Sequence, residues 1–403
     1  MESILRGSHV KKRLIFVNNN LHSGGIQKSL LSLLSHIKDQ YAVTLLLMSD
    51  TGEYKAQLPK GIQVLHCSPI LRILGMSQKE LWRENRLLFC IRSLFAALCR
   101  ITGNSLLLRI LSHAQKRLGP YDVAISCMHS EPPRVFYGGT NEIVLYRIRA
   151  AKKIAMVHAD VLHNGSCTAA TGKLYGQFDQ IIACSKGCRE QFVKAFPDLR
   201  DRVSVVSNFH RFHEIRALAS QNPIAYPRDQ IHVITVARLN KEKGIERALD
   251  AVRACVDAGI PIQYHIVGDG AEQQSLEKRA AQLGIAGRVT FYGMQQNPYR
   301  FMKQADLFLL PSYHEAAPLV FTEAKCLGVP ILATRTASVQ EMILDDRAGW
   351  VCENTTAAIV HSLQEICRHR EALQEKREEL SLKTYHNGEA MRQWNAVMKE
   401  QEI

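Results

Sequence analysis

The sequence of 403 residues contains no apolar run long enough to cross a membrane. Its longest run, LLFCIRSLFAALC from Leu87 to Cys99, is broken by Arg92, whereas a spanning helix needs about 18 or more consecutive apolar residues. The N-terminal stretch also has no apolar segment followed by a small-residue cleavage site. We therefore expect no transmembrane helix, no signal peptide and a cytoplasmic location.

Sequence patterns for metal binding and for disulfides are absent as well. None of the eleven cysteines forms a CxxC pair, and the closest two, Cys184 and Cys188, have no histidines at metal-ligand spacing near them. Cysteines of this kind in the cytosol are ordinarily reduced and mostly buried. We expect no metal site and no bound cofactor.

Acidic residues are scarce relative to basic ones. The chain has 38 Asp and Glu against 51 Lys and Arg, a net charge of +13 at pH 7. This excess predicts an acidic partner: nucleic acid, an anionic membrane or a phosphorylated small molecule. About half of it lies between Leu71 and Leu118, where nine Lys or Arg stand against two acids, a net charge of +7.

The segment 71–118 is also rich in leucine and aromatic residues, which alternate with its basic residues. This composition is typical of amphipathic helices that lie on an anionic membrane surface. The alternative is a helical subdomain that packs its apolar faces inward and leaves its arginines in water. Both interpretations remain open at this stage. Nucleic acid is the weakest candidate partner, because the basic residues do not form a polar stripe.

Two segments have the pattern of a strand, a loop and a helix. In the first, RLIFVNN, LHSGG and IQKSLLSLLSHI follow one another, and in the second IHVITVA, RLNKEKG and IERALDAVRACV do. Apolar strands alternate with helices after each segment, which is typical of doubly wound parallel sheets. After the strand PILAT, the pattern predicts only helices. The predicted fold class is α/β, with two Rossmann-like domains that face each other across a cleft.

A proline-containing stretch, QNPIAYPRDQ from Gln221 to Gln230, is the best candidate for a linker. We predict a first Rossmann-like domain over residues 1–222, which includes the basic segment 71–118. A second Rossmann-like domain is predicted over 230–382. A C-terminal helix in 383–403 is predicted to return to the first domain.

The stretch HEAAPLVFTEAKCLG contains two carboxylates around a predicted helix start. Glu315 lies in the loop after a strand, and Glu323 lies about one and a half turns into the helix. Pro318 suits the first helical turn, and Gly328 suits the helix end. A helix N-terminus offers free amides and a partial positive charge, so the pattern predicts a phosphate between the two carboxylates.

Two further loops carry residues suited to phosphate binding. The loop ARLNKEKG supplies Arg238 and Lys243 directly after a strand, where two cations can clamp a diphosphate. The loop HSGG, with Gly24 and Gly25, gives bare backbone that a phosphate or sugar can approach closely. Neither first strand is followed by GxGxxG, which argues against a Rossmann oxidoreductase.

In their order and spacing, seven motifs resemble the retaining glycosyltransferases of family 4. They are VARLNKEKG, IVGDG, VTFYGM, ADLFLLPS, the Glu315 and Glu323 pair, GVPILAT and SVQEMI. The likeness is strongest from Ile231 to about Cys352, and the N-terminal half is similar through SGGIQKS, VHAD, IIACS and VVSN. The resemblance implies the GT-B fold, with an acceptor domain first and a nucleotide-sugar donor domain second.

The resemblance also implies the reaction. A hexose-type sugar moves with retention from a nucleoside diphosphate donor, with UDP favoured over GDP. The acceptor is a glycan or a lipid-linked sugar, as in the synthesis of bacterial polysaccharides and capsules, and no metal is required. The expected location is cytoplasmic, at the inner face of the plasma membrane if the segment 71–118 binds lipid.

By position, the resemblance implies a role for each residue of the predicted site. Glu315 contacts the transferred sugar, and His158 stands where the family has a histidine near the reacting sugar, so these two are the implied catalytic residues. Glu323 is expected to hold the ribose hydroxyls. The implied phosphate contacts come from the side chains of Arg238 and Lys243, the amides near Leu319 and Val320, and the loop of Gly24 and Gly25.

The chain departs from the family pattern in two places. Ala316 and Ala317 stand where the family usually has a glycine and often an aromatic residue, which narrows the backbone geometry at the donor sugar. Phe209 and His210 follow VVSN, where the family usually has a small residue and an Asp. These departures keep an alternative open: a catalytically inactive relative that serves as a glycan-binding or partner subunit.

Overall fold

Two sheets of parallel strands organise the structure, a computed structural model that describes residues 11–399. Within those residues, the first sheet has seven strands: β1 Arg13–Asn18, β2 Ala42–Leu47, β3 Gln63–His66, β4 Leu118–Ser126, β5 Ile148–Val157, β6 Gln180–Ala183 and β7 Val203–Val205. Their order across the sheet is β3-β2-β1-β4-β5-β6-β7. The order therefore reverses between β1 and β4, which is a topological switch point.

The second sheet repeats this arrangement with six strands in the described part of the chain: β8 Ile231–Val236, β9 Ile262–Val267, β10 Val289–Phe291, β11 Leu307–Leu310, β12 Ile331–Thr334 and β13 Gly349–Cys352. Their order is β10-β9-β8-β11-β12-β13. The switch point here lies between β8 and β11, where Leu307 is in register with Val233 and Phe308 with Ile234.

Helices connect the parallel strands, as right-handed crossovers require. Between strands of the first sheet lie α1 Gly25–Ile37, α2 Arg72–Gly75, α3 Gln78–Glu84, α4 Arg86–Thr102, α5 Ser105–Ser112, α6 Thr140–Arg147, α7 Ala169–Tyr175 and α8 Lys186–Ala195. Around the second sheet lie α9 Phe212–Ala219, α10 Ile245–Asp257, α11 Gln273–Gln282, α12 Tyr299–Met302, α13 Leu319–Cys326, α14 Thr356–Arg368 and α15 Arg370–Ser381. The last helix is α16 Gly388–Met398.

Local sequence explains why these elements form. The residues of β1 after Arg13 are all buried, as are those of β2 after Ala42, because helices cover both faces of a parallel sheet. In α10 the buried residues recur at helical spacing, with Ile245, Leu249 and Val252 packed into the core of the second sheet. The two parallel sheets confirm the predicted α/β fold class.

The structure differs from the sequence-based expectation at sheet edges. The stretch after β12 is not purely helical, since it contains β13, and the sequence of β3, QVLH, has no continuous apolar run that predicts a strand. Both are edge strands, and their residues are mostly half-buried or exposed. An edge strand lacks the continuous apolar run by which a central strand is recognised.

The described residues form two compact units. One contains residues up to Cys184, then Cys188–His210 and the chain from Ala390 onward, and the other contains Ser185–Gly187 and Arg211–Glu389. The chain passes from the first unit to the second after His210 and returns to the first unit after Glu389. The predicted domain bounds at 222, 230 and 382 stay predictions, and residues 1–10 and 400–403 of the outer domain ranges lie outside the described residues.

Helix α16 packs against the first sheet. Trp394 has no exposed surface, and its ring stacks on Phe16 of β1 at a centroid distance of 6.2 Å. The side chain of Lys152 on β5 donates a hydrogen bond to the carbonyl of Val397 at 2.7 Å. The end of the chain therefore contributes to the core of the first unit.

The sequence predicts cysteines that are reduced and mostly buried, and no transmembrane helix. All eleven cysteines lie within residues 11–399 and are free, and eight of them are buried. No helix among the residues that the structure describes combines the length and the apolarity needed to cross a membrane.

The burial of Trp394 predicts a large contribution to stability. We expect Trp394→Ala to lower the free energy of unfolding by about 3–5 kcal/mol, because removing a buried aromatic ring leaves a cavity. Trp82, which is 49% exposed, provides the matched control, and Trp82→Ala should cost less than about 1 kcal/mol. Urea denaturation of both variants measures the difference. Equal losses in the two variants would contradict the packing of α16 against β1.

The carboxyl of Glu142 predicts a pH dependence of stability. Glu142 lies in α6 and is 5% exposed. Burial raises the pKa of Glu142 from 4.5 to about 7. Between these values the folded protein keeps a proton that the unfolded chain has released. The contribution of this carboxyl to the free energy of unfolding therefore falls as the pH rises through this window.

A glutamine at this position stays neutral at every pH. We compare the free energies of unfolding of Glu142→Gln and of the wild type. Between about pH 5 and pH 8, the difference should shift in favour of the variant by at most about 3 kcal/mol. Urea denaturation at the two pH values measures the change. Glu190→Gln, at an exposed position of α8, is the control and should show no such gain. A difference between Glu142→Gln and wild type that does not change with pH would contradict the burial of an ionisable carboxyl.

Candidate functional site

The switch point of the second sheet brings two predicted loops together. Residues 237–244 follow β8, and residues 311–318 follow β11, its neighbour in the sheet. The amide of Tyr313 donates a hydrogen bond to the carbonyl of Glu242 at 2.8 Å, which ties one loop to the other. Because the carboxyl ends of parallel strands meet at one edge, this is where ligands bind in doubly wound sheets.

At this point Lys243 and Glu315 form an ion pair. The Lys243 Nζ lies 2.5 Å from Glu315 Oε1, and both side chains are largely shielded from water. The hydroxyl of Ser312 donates a second hydrogen bond to the same carboxylate oxygen at 2.7 Å. Two of the predicted site residues are therefore in direct contact, although 72 positions separate them in the sequence.

A buried arginine, Arg247, contacts the loop that carries Glu315. Its guanidinium is 3% exposed and donates hydrogen bonds to the carbonyl of Pro311 and to Asn354 Oδ1, the latter at 2.8 Å. It also lies over the ring of Tyr313, 3.7 Å from the centroid. Burial lowers the pKa of Arg247 from its ordinary value. These contacts fix the loop that carries Glu315.

The sequence pattern did not identify Arg247 as part of the site. Its only signal is a charged residue inserted between the apolar positions Ile245 and Ala248 of an amphipathic helix. Ser312 and Thr334 were missed as well. The Thr334 hydroxyl donates a hydrogen bond to the carbonyl of Ser312 at 2.5 Å, so β12 also supports the loop.

Glycines allow the loops to approach each other at two places. Gly244 has a φ of 60°, and a side chain there would collide with the carbonyl of Pro311. Gly268 has a φ of 139°, and a side chain there would collide with the carbonyl of Ala237, next to Arg238. The GDG turn thus packs against the loop after β8 through its bare backbone.

The other predicted donor residues surround the pair. The side chain of Arg238 is exposed and forms no ion pair within residues 11–399. Leu319 and Val320 begin α13, where the first amides of a helix have no partner in the helix itself. Pro318 is the N-cap rather than the first helical residue. Glu323 lies one turn further on and is only 2% exposed.

In the first unit, the predicted glycine loop follows β1 at the other switch point. Gly24 is extended and caps α1, which begins at Gly25. A side chain at Gly24 would meet the amide oxygen of Gln27 at 2.7 Å, so this helix start has no room for a larger residue without movement. The side chain of Asn20 holds the loop, donating to the carbonyl of Gly75 at 2.6 Å.

The first unit also contains His158, which directly follows β5. Its ring is half-buried and lines a small crevice with Ser207 and Asn208. Burial lowers the pKa of His158 to about 3, and the nearby His129 lowers it further. The imidazole is therefore neutral at pH 7, and it can donate or accept a hydrogen bond but does not act as a cation.

The structure thus groups the predicted residues by unit. Lys243 and Glu315 touch, and Arg238 and the start of α13 belong to loops at the same edge of the second sheet. His158 follows a strand of the first sheet, as the loop of Gly24 and Gly25 does.

Comparison with known proteins identifies the second unit. Residues 219–386 match the family model of the glycosyl transferases group 1. The putative colanic acid biosynthesis glycosyltransferase WcaL of Escherichia coli is 29% identical over 153 residues, 36% of this chain and 38% of that protein. A GDP-mannose-dependent phosphatidylinositol dimannoside mannosyltransferase of Mycobacterium tuberculosis is 27% identical over 218 residues, 52% of this chain and 56% of that protein. The chain therefore spans less than two thirds of either relative.

A solved structure extends the likeness to the fold of the whole chain. Anabaena HepE, crystallised in complex with UDP and glucose, superimposes with a TM-score of 0.66 at 16% identity. The match covers 97% of this chain and 99% of HepE. This likeness shows the GT-B fold, in agreement with the sequence-based expectation. The chain thus has the GT-B fold, and its residues 219–386 match the glycosyl transferases group 1.

Proposed function

We propose that this protein is a retaining glycosyltransferase that moves a hexose-type sugar from a nucleoside diphosphate donor to a glycan or lipid-linked acceptor in polysaccharide biosynthesis. The observation that carries this proposal is the contact between Lys243 and Glu315 at the β8 and β11 switch point. It lies inside the segment that matches the family model. WcaL, a relative named for colanic acid biosynthesis, supports the polysaccharide context.

In this proposal, Lys243 and Arg238 bind the diphosphate of the donor. Before the donor arrives, the charge of Lys243 is balanced by Glu315, which keeps the ammonium group at the site. The amides of Leu319 and Val320 add donors at the positive end of α13. Glu323, one turn along α13, holds the ribose hydroxyls. Glu315 contacts the transferred sugar once Lys243 turns to the phosphate.

The chemistry that these groups support is substitution at the anomeric carbon with retention. The bond between the anomeric carbon and the β-phosphate oxygen breaks, and the acceptor oxygen bonds to the same face. The departing phosphate oxygen takes the acceptor proton. Lys243, Arg238 and the α13 amides stabilise the charge that develops on the diphosphate, so we propose that no metal is required. His158, as a neutral imidazole, hydrogen-bonds the reacting sugar from the acceptor unit.

The donor base is proposed to be uracil. The structure of HepE contains UDP, whereas the mycobacterial relative is named for GDP-mannose. The alternative function, a catalytically inactive glycan-binding or partner subunit, rests on Ala316 and Ala317 beside Glu315. Transfer activity that is lost in Glu315→Ala would exclude this alternative.

The donor proposal predicts selective nucleotide binding. We expect isothermal titration calorimetry to detect UDP binding in the presence of excess EDTA, with weaker binding of GDP and ADP. Lys243→Ala should weaken UDP binding about 10- to 100-fold, because it removes a charge-assisted hydrogen bond to the diphosphate. Lys241→Ala is the matched control: this lysine is exposed in the same loop, and its loss should leave UDP affinity unchanged.

The outcomes separate the two functions. Equal weakening in the Lys243 and Lys241 variants would show a general effect of charge and contradict the assigned contact. Absence of binding by all three nucleotides would contradict the transferase and favour the inactive partner subunit.

We also propose that the segment 71–118 binds an anionic membrane surface. Six large apolar side chains of α4 and α5 are exposed, most of them by more than half: Leu87, Leu94, Leu98, Ile101, Leu106 and Ile110. The four on α4 recur at intervals of seven, four and three residues, which aligns them on one face of the helix. We call these six residues the apolar patch.

Exposed basic residues border the apolar patch. Arg83, Arg86, Arg100 and Arg109 are all exposed on α3, α4 and α5. Arg92 is different, since its guanidinium is half-buried and donates a hydrogen bond to the carbonyl of Ile73. An exposed apolar helix face together with exposed arginines suits a surface of anionic headgroups over acyl chains. This interaction would hold the enzyme at the cytoplasmic face of the membrane, near a lipid-linked acceptor.

The membrane proposal predicts sedimentation with vesicles that contain phosphatidylglycerol and weaker sedimentation with pure phosphatidylcholine. Leu94→Glu combined with Ile101→Glu should abolish binding. Arg83→Glu combined with Arg86→Glu should lower it about 10-fold or more, since each basic residue near the surface contributes about 1 kcal/mol.

Leu382 provides the matched control for the apolar changes. It is 86% exposed, against 84% for Ile101, and it lies outside the patch, so Leu382→Glu should bind as the wild type does. Wild-type protein that sediments with neither vesicle type would contradict the proposal. So would a patch variant that sediments as well as Leu382→Glu.

A further inference from the structure

A second cavity of the first unit lies at the end of β4 and has a volume of about 150 Å³. It opens where the chain leaves β4, between His129 and Ser130 on one side and the start of α6 on the other. The volume is far above the ~10–15 Å³ that one buried water needs, so the cavity admits a ligand of the size of one sugar ring. We call this cavity the polar pocket.

Two polar side chains of the pocket wall are buried in the protein. Asn141 and Glu142 are 3% and 5% exposed, and both line the pocket. Asn141 donates to the hydroxyl of Ser130 at 3.0 Å, but its Oδ1 has no hydrogen-bond partner within residues 11–399. Nδ1 of His129 also has no hydrogen-bond partner within these residues. Buried polar atoms without partners are costly, and a ligand that supplies hydroxyl groups would satisfy them.

The pocket wall holds no cation that could bind an anionic ligand. Among the described residues it includes no Lys or Arg, and its acidic residues are Glu131 and Glu142, of which Glu142 is charged only above its pKa of about 7. A phosphate or a sugar carboxylate would be repelled there. Burial lowers the pKa of His129 to about 4, so this ring adds no positive charge at pH 7. A neutral, hydroxyl-rich ligand fits this wall.

The location of the pocket links it to the proposed reaction. His129 of the pocket wall lies three residues past Ser126 of β4, and His158 lies three residues past Ala155 of β5. Ser126 and Ala155 are in register in adjacent parallel strands, so both histidines lie at the same edge of the sheet. At its other side the pocket is lined by Thr102 and Ser105, which directly follow Ile101 and precede Leu106 of the apolar patch. A sugar in the pocket would thus lie at the same sheet edge as His158 and next to the residues that adjoin the apolar patch.

We infer that the polar pocket binds the uncharged terminal sugar of the acceptor, whose hydroxyls bond to Asn141, Glu142 and His129. The inference rests on the proposed transferase function and names its acceptor class: a neutral hexose or N-acetylhexosamine at the end of a glycan or lipid-linked chain. Uronic acids and phosphosugars are excluded by the charge of the wall.

Saturation-transfer difference NMR on the full chain with UDP tests this assignment. The probes are the methyl α-glycosides of glucose, galactose, mannose and N-acetylglucosamine, with methyl glucuronide as the anionic comparison. We expect at least one neutral glycoside to bind and methyl glucuronide not to bind. At pH 8, above the pKa of Glu142 of about 7, Glu142→Gln should weaken glycoside binding about 10-fold or more, because a charged hydrogen-bond acceptor is lost.

A blocking variant avoids the risk of disturbing the core. Ala170 is exposed in the first turn of α7 and lines the pocket, so Ala170→Phe should close it and abolish glycoside binding. Ala169 is equally exposed one position earlier but is not part of the wall, so Ala169→Phe should bind as the wild type does. UDP affinity, measured by calorimetry, should be the same in all of these proteins.

Three results would overturn the assignment: no binding of any neutral glycoside, binding of methyl glucuronide as strong as that of the neutral probes, or glycoside binding that survives Ala170→Phe. In each case intact UDP binding would leave the transferase proposal standing. Loss of UDP binding by the wild-type protein would contradict the transferase proposal itself.

Discussion

The contact between Lys243 and Glu315 depends on the parallel pairing of β8 with β11. Each residue lies in the loop after its strand, so the pair forms only if the two strands end at the same edge and in the observed register. Buried apolar side chains such as Ile234 and Phe308 hold that register, because a shift of one residue would turn them to the opposite face of the sheet. The proposed donor site is thus a consequence of how the core packs.

A second constraint is the buried charge of Arg247. A cation that is 3% exposed needs partners inside the protein, and the partners of Arg247 are the carbonyl of Pro311, Asn354 and the ring of Tyr313. Its Nε has no hydrogen-bond partner among the described residues. The partners lie in the loop of Glu315 and in the loop after β13. These contacts fix the backbone around Glu315 before any ligand binds, which reduces the ordering cost of donor binding.

The sequence predicted the central strands and the switch-point loops because their signals are local. The run LIFV is apolar without interruption and IHVITV is mostly apolar, and the loops after them carry the glycines and charges. The edge strands β3 and β13 escaped prediction because their half-exposed residues have no such run. Arg247 and Glu142 escaped because a charged residue on a helix is usually solvated, and its burial depends on segments far away in the chain.

The segment 71–118 shows the same division. Its composition established that basic and apolar residues alternate there, and it left open whether the leucines face the core or the solvent. The structure divides them: Leu81, Leu107 and Leu111 are buried, whereas Leu87 and Leu94 are exposed, and Arg92 points inward. By itself the sequence determined the α/β class, the two sheets and the loops of the proposed donor site, since periodicity and turn residues act over short distances. Only the tertiary structure decided which charges are buried and which leucines meet water, because burial is set by contacts between residues that are distant in the sequence.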